Sequence, residues 1–131
     1  MRSVRRKITK STGKEKSSLI KVKIQVNTIH WIYLFLAGFL EIGFTTSMKL
    51  MDGHKNIPWS IAFYVCVILS FGFLQEAAKS LPLGTAYAVW TGIGAAGTFI
   101  VGVLFFNDPS ILLRWLGVSL IILGVVFLKV T

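Results

Sequence analysis

The chain has 131 residues, of which 54% are hydrophobic and 15% charged, with a mean hydropathy of +0.73; a soluble domain carries about 25% charged residues, so the composition excludes that class and points to a membrane protein. The net charge of +9 belongs to one end, since nine of the fourteen Lys and Arg residues lie between Arg2 and Lys23. No aromatic residues are interleaved with that charge, which argues against nucleic acid as a partner, and a single cysteine, Cys66, excludes an internal disulfide.

Residues 1–29 read as a basic tail in which Glu15 is the only acid, expected to be disordered on its own. Such a tail is drawn to anionic lipid headgroups by roughly 1 kcal/mol per charge and biases orientation in the bilayer. It lacks the cleavage pattern of a secretory signal; a transit peptide, or a segment upstream of a natural start near Val26, are lesser readings.

Residues 30–131 form the transmembrane domain. Four apolar stretches, at about 31–50, 59–79, 84–106 and 110–130, each approach the roughly 20 residues that cross about 30 Å of hydrocarbon. Lys49 to Lys55 closes the first span and Pro58 opens the second, at a position helices tolerate. Lys79 to Gly84 separates the second and third, and Asn107-Asp108-Pro109 the third and fourth, with Asp108 expected to cap a helix starting at Pro109. Links this short make neighbouring spans antiparallel and place both ends of the domain on one side. Trp31, Tyr33, Trp59 and Trp115 fall near span ends, where amphipathic rings anchor. His30 and His54 lie at the same level without a second ligand nearby, so both read as interfacial rather than metal-binding.

Glu41 is the most informative residue. It falls in the middle of the first span, where a carboxylate must be protonated, paired or turned toward water. A proton and a cation then compete for one carboxyl. Helical spacing aligns Leu34, Ala37, Gly38, Glu41, Thr45 and Met48 on one face, so small residues beside the acid leave space for a ligand. In the third span the same spacing aligns Tyr87, Trp90, Thr91 and Gly94; two aromatic faces attract a cation by about 2 kcal/mol once water is excluded. Lipid-facing or packing aromatics are the plainer alternative. Glu76 and Lys79 read as a solvated pair at the end of the second span.

Gly92, Gly94 and Gly97 match a dinucleotide-binding string, but no strand precedes them, so that reading is rejected. Glycines within a membrane helix permit close approach and bending, which suits a helix that flexes during transport. Gly117 and Gly124 lie seven residues apart in the fourth span and leave a smooth stripe for a partner copy.

Glu41 followed by Met48-Lys49, the string from Pro82 through Gly84, Tyr87, Trp90 and Gly94, and the span carrying Gly117 and Gly124 together resemble the small multidrug resistance family of bacterial proton-coupled exporters, over residues 31–131. The resemblance implies an all-α integral membrane fold, four transmembrane helices per protomer in an antiparallel dimer, in the bacterial inner membrane. It implies that paired Glu41 residues bind protons or substrate in alternation, that Tyr87 and Trp90 line the site, and that the fourth span makes the dimer contact. Ser70, Thr85, Thr91 and Lys129 resemble the guanidinium-exporting branch, whose compact site hydrogen-bonds a planar cation. Phe44 departs from it, standing where that branch carries Trp; the lost indole N–H removes a donor near the acid and leaves open a broadened site or one subunit of a heterodimer.

The function these residues imply is antiport of small organic cations, guanidinium or its relatives, against protons, with no cofactor and no metal. A broad quaternary ammonium exporter is the alternative within the class, and a non-transporting membrane subunit the alternative outside it. A scaffold needs no acid at mid-depth. An enzyme is a distant third, for the spans carry no nucleophile and base pair.

Overall fold

The computed structural model consists of four helices, α1 (Arg2–Leu50), α2 (Ile57–Ala78), α3 (Leu83–Phe105) and α4 (Leu112–Val130); its described residues are Met1 and 12–131. Each helix is long and apolar enough to cross a membrane. The expected spans therefore recur with their ends moved by at most a few residues, except that α1 continues far upstream of Trp31.

From Thr12 onward the segment expected to be disordered on its own is drawn as a continuation of α1. From Thr12 to Leu50 the helix has 39 residues, or about 58 Å at 1.5 Å per residue, nearly twice the hydrocarbon thickness. A helix already nucleated by packing extends without a second nucleus, and no proline interrupts residues 12–50. The extension has no core of its own, since every residue from Thr12 to Ile29 is exposed. The tail charges between Arg2 and Lys10 lie outside the described residues.

The connections are short because special backbone conformations turn the chain. Asp52, Gly53 and His54 take positive φ values of 47°, 61° and 72° between α1 and α2, and Pro58 sits in the first turn of α2, where its missing N–H has no helical acceptor to lose. Asn107 turns the α3–α4 link at φ 54°. Asp108 does not cap α4 as expected. The α4 cap falls at Ile111, and the Asp108 carboxylate instead packs on Gly102 of α3, with Oδ1 3.5 Å from Lys49 Nζ.

Packing is uneven. α1 lies against α2 and α3, whereas α4 has backbone proximity to α3 alone. The core is small: Leu34, Ala37, Leu74, Ala77, Leu81, Ala86, Val89 and Trp90, drawn from α1, the α2 end and α3. Alanines recur there because lipid is as apolar as leucine, so membrane helices associate through close backbone packing rather than by escaping water. α4 has no buried residue.

Candidate functional site

α1 and α3 run parallel, because α2 returns the chain between them. Their contacts keep one register: Thr45 Oγ1 and Thr98 Oγ1 share a hydrogen bond of 2.7 Å across 53 positions, and one turn earlier, at the same separation, Glu41 faces Gly94. A Cβ built on Gly94 would fall on the Glu41 carboxyl carbon and Oε2. Glycine at 94 therefore makes the seat in which the carboxyl lies. Glu41 Oε2 is buried there and has no hydrogen-bond partner among the described residues, nor does any Lys or Arg among them pair with it. A buried carboxyl oxygen left unsatisfied is costly, and a cationic or proton-donating guest relieves it.

The neighbouring turn is held by a chain of hydrogen bonds through three helices. Trp90 Nε1 donates to Ser70 Oγ at 3.0 Å, and Ser70 Oγ donates to the Ala37 carbonyl at 2.8 Å. Ser70 is fully buried and Trp90 nearly so. The indole is thus fixed to α2, and α2 to α1 one turn before Glu41. Tyr87, more than half exposed, stands beside that indole with ring centroids 5.5 Å apart, and Phe71 meets it edge-on at 5.2 Å.

Phe44 is half-buried and packs on the core, meeting Phe63 of α2 edge-on at 6.1 Å. It brings hydrocarbon and no hydrogen-bond donor to the turn after Glu41. Thr45 Oγ1, besides meeting Thr98, lies 3.0 Å from the Glu41 carbonyl, so the hydroxyls tie the backbone of the acid to α3.

The glycines expected to let α3 flex each make room for a neighbour. A Cβ at Gly97 would overlap Ile42 of α1, and one at Gly92 would come within 2.6 Å of Val125 Cγ2 of α4. Gly117 and Gly124 differ, with nothing within 4 Å of the space a Cβ would take; their stripe faces outward. Glu76 and Lys79 pair at 2.6 Å as expected. His54 Nε2 and Tyr64 Oη are 2.9 Å apart. No group of three or more metal-ligating side chains occurs among the described residues.

Sequence reasoning assembled Glu41, Thr45, Tyr87 and Trp90 but missed Thr98 and the linking part played by Ser70. Thr98 carried a readable signal, as a hydroxyl in an apolar span following Gly97. The Ala37 carbonyl carried none, because any residue supplies one.

The profile described as Small Multidrug Resistance protein matches residues 29–121. Similar proteins include the guanidinium exporter of Proteus vulgaris, 43% identical over 76% of this chain and 95% of its own length. That of Escherichia coli K12 is 40% identical over 77% and 96%, and that of Yersinia pseudotuberculosis 43% identical over 76% and 95%.

Proposed function

The chain belongs to the small multidrug resistance family, and from that premise we propose that it is a proton-coupled antiporter exporting guanidinium and related small cations across the bacterial inner membrane. It is a transporter and not an enzyme. The observation that carries the reading is the Glu41 carboxyl, seated on Gly94 with a buried, unpartnered oxygen.

The mechanism follows from one carboxyl accepting either guest. Deprotonated, Glu41 attracts a cation that Trp90 and Tyr87 receive on their faces; protonated, it is neutral and the cation leaves. Protons entering from one side thereby expel the cation on that side. The functional unit is a dimer of two oppositely oriented protomers, joined along the open Gly117 and Gly124 stripe of α4, as a homodimer or with a second family member. Two carboxyls then yield two protons for one univalent cation, so each cycle moves net charge. Thr45 and Phe44 flank the acid, Ser70 holds Trp90, and Gly92, Gly94 and Gly97 let α3 shift against its neighbours. The basic segment 1–29 rests on anionic lipid and biases insertion.

Phe44 supports a second reading, a broader quaternary ammonium exporter, because a hydrocarbon ring beside Phe63 suits an alkylated cation better than a planar hydrogen-bonding one. Currents from purified protein in proteoliposomes separate the readings. Guanidinium-driven current that is lost in Glu41→Gln supports the proposal, and current with a bulky quaternary ammonium as well supports the broader site. Guanidinium current undiminished in Glu41→Gln refutes both.

A further inference from the structure

Lys129 stands at the end of α4. Its Nζ lies over the Phe35 ring at 4.7 Å and near the Trp31 ring at 5.7 Å, and no Asp or Glu among the described residues pairs with it. It is also the one residue shared by the linings of two cavities. The first, about 680 Å³, is polar and carries Lys23, Asn27, Ser80 and Thr85. Thr131 lines it too. The second, about 340 Å³, is an apolar groove between α1, α3 and α4, floored by Gly92, Ala96 and Gly97 and walled by Phe39 and Val126. No Asp or Glu side chain lines either one.

We propose that this composite site binds one anionic phospholipid, its phosphate held by Lys129 with Lys23 beside it and one acyl chain lying in the apolar groove. The small residues at 92, 96 and 97 keep the floor low enough for a chain, and the cation stands where an interfacial phosphate sits when the chain runs toward the bilayer centre. A zwitterionic lipid offers the same chain but brings its own ammonium, so the preference is for net negative charge. A second copy of the protein is a poorer occupant. At 3.6 residues per turn, the α4 line through Ile122, Val126 and Lys129 lies about 155° around the helix from Gly117 and Gly124, the stripe assigned above to the dimer.

The test is native mass spectrometry of the full-length protein in detergent, titrated with phosphatidylglycerol or with phosphatidylcholine of the same chains. The expected result is one tightly retained phosphatidylglycerol per protomer, bound about tenfold more tightly than phosphatidylcholine, whose own ammonium offsets the phosphate charge that Lys129 and Lys23 attract. Lys129→Gln removes that preference and Lys129→Arg keeps it. Val126→Trp fills the groove from an exposed position, leaves the core untouched and lowers retention of both lipids. Equal retention of the two lipids by the unaltered protein overturns the proposal, as does a preference that survives Lys129→Gln. Retention undiminished in Val126→Trp shows no chain in the groove, and a Val126→Trp protein that loses its dimer while keeping its lipid shows that a second copy fills it; either result overturns the proposal too. Retained lipid is counted on whichever oligomer appears, so failure of the dimer reading and failure of this one are told apart.

Discussion

The three-helix bundle of α1, α2 and α3 and the single helix α4 solve different problems with the same apolar alphabet. In the bundle, helix faces are cut down with Ala, Gly and Ser until backbones touch, and the few polar atoms inside are joined: Trp90 to Ser70 to the Ala37 carbonyl, Thr45 to Thr98. The exception is the Glu41 carboxyl. α4 has large aliphatic side chains on its outer faces and buries none of its residues. The contrast teaches that a span's composition does not say whether it holds chemistry; what distinguishes the bundle is the placement of small residues opposite polar ones.

That comparison is most easily broken at Gly94. Gly94→Ala puts a methyl where the Glu41 carboxyl lies and so unseats it, and is expected to lower guanidinium-driven current at least about tenfold, corresponding to about 1.4 kcal/mol. Gly72 is the control, because a Cβ there meets nothing within 4 Å; current in Gly72→Ala near the unaltered level, beside a loss in Gly94→Ala, locates the effect in the seat. Ser70→Ala comes next. It leaves the buried Trp90 N–H without its acceptor, at a cost of about 1–3 kcal/mol, and the thermal midpoint of the detergent-solubilised protein should fall with it. A midpoint unchanged in Ser70→Ala would show that the three-helix relay carries no weight.

On the α4 side, Gly117→Leu with Gly124→Leu is expected to leave the protomer folded and reduce the dimer fraction, read by crosslinking or mass, since a Cβ at either position meets nothing within 4 Å. A dimer fraction equal to that of the unaltered protein would move the interface elsewhere. The smallest effect belongs to Lys49 and Asp108. Both are about half exposed, so Asp108→Asn should shift stability by no more than about 1 kcal/mol.

Spans and turns were legible because length, prolines and short polar links dictate them locally, and Glu41 because a carboxyl at mid-depth has few explanations. Asp108 was misread because a capping residue and a residue folded back on Gly102 share one sequence pattern, and only the α3–α4 geometry chooses. The job of Ser70 depends on three helices meeting in one register, which no single span encodes. Gly94 was visible as a glycine but not as a seat, since its partner lies 53 positions away on a parallel helix. The tail was judged on composition, whereas its helical course from Thr12 follows from what α1 does after it.

The most direct test of the account is the proton release that accompanies guanidinium binding to the purified protein, measured in buffers of differing ionisation enthalpy. If Glu41 holds a proton or the cation but not both, binding from the protonated state expels protons, and Glu41→Gln abolishes the release along with binding. Guanidinium binding with no proton exchanged, or with the same exchange in Glu41→Gln, would contradict the shared carboxyl on which the whole mechanism stands.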